Sequence, residues 1–322
     1  MSEETGSGPD KAGWERDALR QLAGAALQEQ RRSRRWSVFF RLAFLCYLLV
    51  ITFMLIPKDF SSSGKEGEKH TAVVRMEGVI ASKTEASAKL VIKGLKEAFE
   101  DKNSAAVVLK INSPGGSPVQ AGQIHDEMLR LRKKYPEIPL YTVIDDVCAS
   151  GGYYVAVASD RIFADKASIV GSIGVLMNGF GFVDAMSKLG VERRLLTAGQ
   201  YKGALDPFSP VDEAAATHVQ TVLDNIHRQF IDVVKEGRGE AVADDPLLFS
   251  GLVWSGEQSL ELGLVDQLAS LGAVARDVVK TKEIVDFTVG ENYLDRFSRS
   301  LGASVGEVIA TRLGITDSLV LE

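Results

Sequence analysis

The chain has 322 residues, of which 45% are hydrophobic and 25% charged, a composition typical of a folded protein of one or two domains. Its net charge of -6 argues against nucleic acid as the main partner, because phosphate binding needs a surplus of clustered lysine and arginine. The two cysteines, Cys46 and Cys148, are too few for a disulfide framework. No ligand spacing predicts a metal site, and we expect no cofactor.

An apolar segment lies near the start of the chain. Residues 36–56 contain Arg41 as their only charge and are long enough to span a bilayer core of roughly 30 Å as a helix. Arginines crowd its N-terminal side, and by the positive-inside rule they place the N-terminus in the cytoplasm. They are Arg31, Arg32, Arg34, Arg35 and Arg41.

Two other interpretations of this segment are disfavoured. A cleaved signal peptide would begin earlier and end at a small-x-small site, and no such site follows Ile56. A buried core helix seldom has so many flanking arginines. We therefore expect an uncleaved anchor, with the chain that follows residue 56 outside the cytoplasm.

The composition of successive segments predicts five regions. They are a cytoplasmic segment at 1–35, the anchor at 36–56, a flexible linker at 57–70, an extracytoplasmic domain at 71–290 and a helical segment at 291–322.

Strands and helices alternate after residue 71. Strands are predicted at 71–80, 105–111, 140–144, 161–164 and 191–197, and helices at 85–99, 119–134, from Gly151 and at 212–236. This order predicts an α/β fold in which helices cover a mostly parallel sheet.

Ser150 stands where the third predicted strand gives way to a helix. At such a junction its hydroxyl would be exposed near the positive end of the helix dipole, and the N–H of Gly151 could face a developing oxyanion. A helix cap or tight turn explains the same residues. Cys148 is a rival nucleophile, although on a strand it is expected to be buried core filling.

Adjacent glycines, Gly115 and Gly116, lie between a predicted strand and a predicted helix. Their backbone N–H groups can approach a ligand closely, which suits an oxyanion hole or a phosphate nest, and a simple turn is the alternative. Phosphate binding is disfavoured because no lysine follows as in a Walker loop.

Lys202 is a candidate general base. A free lysine, with a pKa of about 10.4, is a poor base at neutral pH, but desolvation without a carboxylate partner can lower that pKa by several units. Most lysines are simply solvated, so the position alone does not decide its role.

No histidine competes with Lys202. His70 falls in the predicted linker, and His125, His218 and His227 fall on predicted helices outside every motif. A Ser-His-Asp triad is therefore disfavoured.

Taken in this order, the motifs resemble the signal peptide peptidase A family of membrane-bound Ser-Lys proteases, which has the ClpP/crotonase-type fold. The resemblance covers about residues 71–268. Its motifs are Asn112-Ser113-Pro114-Gly115-Gly116, Ala149-Ser150-Gly151-Gly152-Tyr153-Tyr154, Gly171-Ser172-Ile173-Gly174-Val175, Tyr201-Lys202 with Pro207-Phe208, and Gly263-Leu264-Val265-Asp266.

The resemblance implies that Ser150 attacks a peptide carbonyl while Lys202 takes its proton and later gives it to the leaving amine. The backbone amides of Gly115 or Gly116, together with Gly151, would hold the oxyanion.

Two further expectations come from the same family. Ser172 is implied as the hydroxyl that orients the lysine, whereas Leu252 stands where relatives are expected to have a basic residue. Longer members carry two copies of the domain, with the lysine in one and the serine in the other. Because this chain has one copy, we expect a homo-oligomeric ring in which Ser150 and Lys202 meet across a subunit interface.

The implied function is the degradation of remnant signal peptides and other hydrophobic peptides at the bacterial inner membrane. Lipid would contact residues 36–56, and the catalytic domain would be periplasmic. The alternatives are a sister peptidase with quality-control substrates, a catalytically silent binding module and a crotonase-like acyl-CoA enzyme. Against the acyl-CoA enzyme, the sequence shows no evident adenine-phosphate site, and such an enzyme would not explain the anchor.

Overall fold

The structure is a computed structural model that describes residues 34–52 and 68–290, together with Gly24 and Arg32. The chain forms two units, Met1–Ser61 and Ser62–Glu322. The described part of the first unit is helix α1, Arg34–Thr52, whose length and apolar composition are sufficient to cross a membrane.

The second unit is built on an eight-stranded sheet with the order β6-β5-β3-β2-β1-β8, while β4 pairs with β3 and β7 with β4. The strands are β1 His70–Glu77, β2 Ser104–Ser113, β3 Leu140–Ala149, β4 Arg161–Ala164, β5 Ile169–Gly171, β6 Val253–Ser255, β7 Gln267–Leu268 and β8 Glu283–Asp286. Every pairing is parallel except that of β5 with β6. The predicted α/β fold with a mostly parallel sheet is confirmed.

Helices connect and cover the strands. They are α2 Ala88–Glu100, α3 Pro118–Lys134, α4 Gly151–Ala156, α5 Val183–Leu189, α6 Glu213–Arg238, α7 Gly256–Glu261 and α8 Leu271–Ala273, which continues as a π-helix over Val274–Val279. Short 3-10 turns lie at Gly239–Ala241 and Pro246–Phe249.

The central strands are buried on both faces, as parallel strands covered by helices must be. The larger apolar cluster packs the sheet against residues from α2, α3, α4 and α6. Val73, Val108, Val143 and Phe163 point to the other face and pack with Val274. The core therefore fixes where each strand ends.

Three elements differ from the sequence-based predictions. Residues 191–197 form no strand, because within the described chain no neighbouring strand pairs with them and their apolar side chains are largely exposed. His70 belongs to β1 and is buried, so its assignment to the linker was wrong. β3 runs on to Ala149. The helical pattern predicted at 291–322 lies outside the described residues.

An ion pair between Arg238 and Asp266 joins the end of α6 to the sheet. Two Arg238 nitrogens donate to the carboxylate at 2.9 Å each, and the N–H of Ile162 in β4 donates to it at 2.7 Å. The Arg238 side chain is only 5% exposed. Burial by itself raises the pKa of Asp266, but the hydrogen bonds from Arg238 and Ile162 outweigh burial, so the pKa is lowered.

We expect Asp266→Asn to lower the free energy of unfolding by about 2–3 kcal/mol, because it leaves a buried guanidinium without its counter-charge. The pair stabilises the fold fully above the ordinary aspartate pKa of about 4, and this stabilisation is lost as pH falls through the lower folded-state pKa. Urea unfolding of the detergent-solubilised chain at several pH values measures both effects.

The matched control is Asp277→Asn, which breaks an exposed pair with Arg276 whose side chains are 71% and 59% exposed. That change should cost under about 0.5 kcal/mol. Equal losses in the two variants would contradict the role given to Asp266.

Candidate active site

Ser150 occupies the turn between β3 and α4 in a backbone conformation that is rare for any residue with a Cβ, at φ 51° and ψ -123°. Its N–H donates to the carbonyl of Gly171 at 2.8 Å, and its carbonyl accepts from Tyr154 at 3.0 Å. Strain of this kind persists only where the surroundings impose it. The turn presents the half-buried Ser150 side chain to a cavity.

This cavity, the Ser150 pocket, has a volume of about 590 Å³. Its lining is mainly apolar and includes Pro118, Ala121, Tyr154, Val175, Leu176 and Phe230. The rings of Tyr154 and Phe230 pack with their centroids 5.2 Å apart and form part of the wall. The pocket can therefore accept an apolar group beside the serine hydroxyl.

The two glycines of the turn after β2 leave no room for side chains. A Cβ at Gly115 would lie 2.8 Å from the Gly151 nitrogen and from Ser150 Cβ, and one at Gly116 would lie 2.2 Å from the carbonyl oxygen of Ile80. Both glycines have positive φ. Close backbone approach to Ser150 thus explains the adjacent glycines.

The hydrogen bonds of this turn distinguish the two glycines. The N–H of Gly115 donates to the hydroxyl of Ser113 at 3.1 Å, and that hydroxyl donates to the carbonyl of Gly78 at 2.7 Å. Within residues 68–290, the N–H groups of Gly116 and Gly151 have no protein acceptor. Two free backbone donors therefore flank Ser150, an arrangement that can bind developing negative charge.

Ser172 lines the same pocket, again at positive φ. Its N–H donates to the carbonyl of Leu252 at 2.7 Å. This contact uses only the backbone of Leu252, so it does not depend on which side chain stands at that position.

Lys202 lies apart from Ser150. It is exposed and lines a different cavity of about 580 Å³, the Lys202 pocket, which shares no lining residue with the Ser150 pocket. The structure of one chain therefore brings Ser150, Gly116, Gly151 and Ser172 together and does not add Lys202 to them.

Known proteins similar to this chain include peptidases. The model of peptidase family S49 matches residues 132–285. A Synechocystis protein named as a putative protease is 31% identical over 261 residues, which cover 78% of this chain and 90% of that protein. The chain belongs to peptidase family S49, the signal peptide peptidase A family. A protein of Enterococcus faecium named "Putative signal peptide peptidase SppA" is 32% identical over 229 residues, or 70% of this chain and 66% of that protein.

A longer protein matches part of this S49 chain more strongly. A Brucella abortus protein named Na(+)/H(+) antiporter NhaA is 44% identical over 194 residues, which cover 59% of this chain and 26% of that protein. The chain thus spans about a quarter of that relative's length.

Two histidines of this S49 chain contact residues in or next to the Ser150 pocket. His125 on α3 is buried with its ring 5.3 Å from that of Tyr154, and Nε2 of His227 on α6 donates to the carbonyl of Ile173 at 3.2 Å. No histidine in the described part of the chain hydrogen-bonds to the Ser150 hydroxyl. The sequence did not predict the hydrogen bonds of Ser113 and His227, because the partners of each bond lie far apart along the chain and no local motif reveals them.

Cys148 does not offer a rival nucleophile. Cys148 is fully buried, and burial raises the pKa of its thiol, so the prediction that it fills the core is confirmed. Among the described residues, no group of three or more His, Cys, Asp and Glu side chains is placed to hold a metal ion.

We expect Cys148 to resist alkylation in the folded protein, because its thiol is inaccessible and disfavoured as a thiolate. In a Cys46→Ser variant, maleimide should label Cys148 only after denaturation. Adding the exposed substitution Ser82→Cys to the same variant supplies a control thiol that should react at least about tenfold faster in the folded state. Rapid labelling of Cys148 in the folded chain would contradict its burial.

Proposed function

We propose that this S49 chain is a serine endopeptidase in which Ser150 is the nucleophile and Lys202 the general base. The observation that carries the proposal is the Ser150 side chain, which lines an apolar pocket together with Gly116 and Gly151, whose N–H groups are free. Family membership supports peptide hydrolysis as the reaction.

In the proposed mechanism, the Ser150 oxygen bonds to the scissile carbonyl carbon as its proton passes to neutral Lys202. The carbonyl oxygen becomes an oxyanion, which the N–H groups of Gly116 and Gly151 bind. The intermediate collapses, the C–N bond breaks, and Lys202 returns the proton to the leaving amine. Water then releases the acyl group by the same steps.

We assign Lys202 to a neighbouring copy of the chain, so that each site is completed across an interface in a homo-oligomeric ring. This assignment accounts for the separate Ser150 and Lys202 pockets. Residues 176–211, which lead to and include the Lys202 loop, expose large apolar side chains, as surfaces that bind protein do. Among them are Leu176, Phe180, Leu189 and Leu196, which is 98% exposed.

Ser172 is proposed to orient the lysine of the neighbouring copy. It lines the Ser150 pocket, and within the described chain its hydroxyl has no hydrogen-bond partner. Such a hydroxyl can accept a hydrogen bond from the neutral lysine amine. Because it carries no charge, it does not favour the charged form of the lysine as a carboxylate would.

The proposed substrates are hydrophobic peptides, chiefly remnant signal peptides, cut on the periplasmic side of the bacterial inner membrane. The apolar lining of the Ser150 pocket fits an apolar side chain next to the scissile bond. Helix α1 supplies a segment capable of holding the enzyme at the membrane where such peptides reside.

Ser150→Ala and Lys202→Ala should each lower kcat/KM for a fluorogenic apolar peptide by at least about 10³-fold, because each removes one partner of the proton transfer. Exposed Lys133 on α3 is a matched control outside residues 176–211, and Lys133→Ala should cut at nearly the parent rate. Parent-like cleavage by Lys202→Ala would overturn the dyad.

Mixing the two inactive variants tests the shared site. After subunit exchange, sites that combine a normal serine with a normal lysine should restore about a quarter of the parent activity. Differently tagged chains that co-purify report that exchange took place. Exchange without regained activity would place both residues of the dyad in one chain.

Gly115→Ala should lower kcat by about 10²-fold or more, because the added methyl group has no space and must displace the Gly151 N–H from the oxyanion position. Gly122→Ala on α3 is the control, since a Cβ there meets nothing within 4 Å. Equal activities of the two variants would contradict the oxyanion assignment.

A further inference from the structure

Asp206 stabilises the loop that carries Lys202 through two hydrogen bonds and an ion pair. Its carboxylate accepts a hydrogen bond from Ser209 Oγ at 2.7 Å and pairs with Arg193 Nε at 3.3 Å. Its backbone N–H donates to the carbonyl of Gly203 at 3.2 Å. The Asp206 side chain is 13% exposed.

Arg193 is itself held in place from a second direction. Its guanidinium lies over the ring of Phe208, 5.9 Å from the centroid, and Phe208 stacks on Phe182 at 5.5 Å. The N–H of Phe182 donates to the carbonyl of Pro207 at 2.7 Å. Arg193, Asp206 and the aromatic pair therefore form one brace around the loop.

The charges that line the Lys202 pocket are those of Lys202, Arg193 and Asp206. Glu192 pairs with Arg194 at 3.2 Å and is not part of the lining. Among the ion pairs of the described residues, none includes Lys202, although Asp206 lies four residues away and lines the same pocket.

We propose that Asp206 and Arg193 are positioning residues for Lys202: Asp206 fixes the loop, and Arg193 engages the carboxylate so that it does not pair with the lysine. This inference rests on the proposed function, in which Lys202 must be neutral to accept the proton of Ser150.

The need for Arg193 follows from the charge of Asp206. The hydrogen bond from Ser209 and the charge of Arg193 lower the pKa of Asp206, so the carboxylate is ionised at neutral pH. An ionised carboxylate that is not compensated favours the charged form of a nearby lysine. Without Arg193, Lys202 would accept a proton from Ser150 only at higher pH.

The test is the pH dependence of kcat/KM for the fluorogenic apolar peptide, measured with the full chain in detergent. Arg193→Gln keeps a hydrogen-bond donor but removes the charge, and it should move the acidic limb of the profile upward by about one pH unit. Arg193→Lys keeps the charge and should leave the limb in place. Arg276→Gln is the control, since Arg276 is an exposed, paired arginine that lies outside residues 176–211 and does not contact Asp206.

Adding Asp206→Asn to Arg193→Gln removes the carboxylate and should return the acidic limb to the parent position. A purely structural role for the brace would make this double variant no better than Arg193→Gln. The inference is overturned if Arg193→Gln leaves the limb unmoved, if Arg193→Lys shifts it equally, or if the double variant stays shifted. Failure of the proposed function is a separate result, namely activity in Lys202→Ala.

Discussion

The backbone of Ser150 is the constraint on which the rest of the site depends. At φ 51°, the residue is held on one side by the carbonyl of Gly171 and on the other by the turn at Gly115 and Gly116, which approaches within van der Waals contact. A residue with a Cβ adopts this conformation at a cost of order 1–3 kcal/mol, so contacts from the neighbouring strands must hold it. β2, β3 and β5 do so because they are adjacent in one parallel sheet.

Parallel order also explains why the donors meet at one point. The glycine turn follows β2, Ser150 follows β3 and Ser172 follows β5, and the carboxyl ends of parallel strands lie at the same edge of a sheet. Gly151 adds an N–H that is free because Gly151 opens helix α4, so the residue four positions before it lies in β3 and not in the helix. The fold thus brings the Ser150 side chain and both free N–H donors together by backbone geometry.

The sequence predicted the parts of this arrangement that depend on local pattern. Apolar runs located β1, β2, β3 and the main helices, and small residues located the turns at Ser150 and Gly115. The strand predicted at 191–197 was wrong because the apolar residues there are exposed rather than paired in the sheet. No local pattern could show that the Ser113 hydroxyl accepts the N–H of Gly115 while the N–H of Gly116 stays free. That hydroxyl is positioned by the carbonyl of Gly78, which follows β1 and is distant along the chain.

The separation of Ser150 from Lys202 places a physical demand on the proposed assembly. A general base that is delivered to its nucleophile by another subunit cannot rely on that subunit's core to set its charge, so the loop that bears it must bring its own electrostatic environment. Asp206, Ser209 and Arg193 meet this demand because their contacts lie within one segment of the chain and do not involve the Ser150 pocket. The loop can therefore dock as a preformed unit, and docking has only to remove water from Lys202.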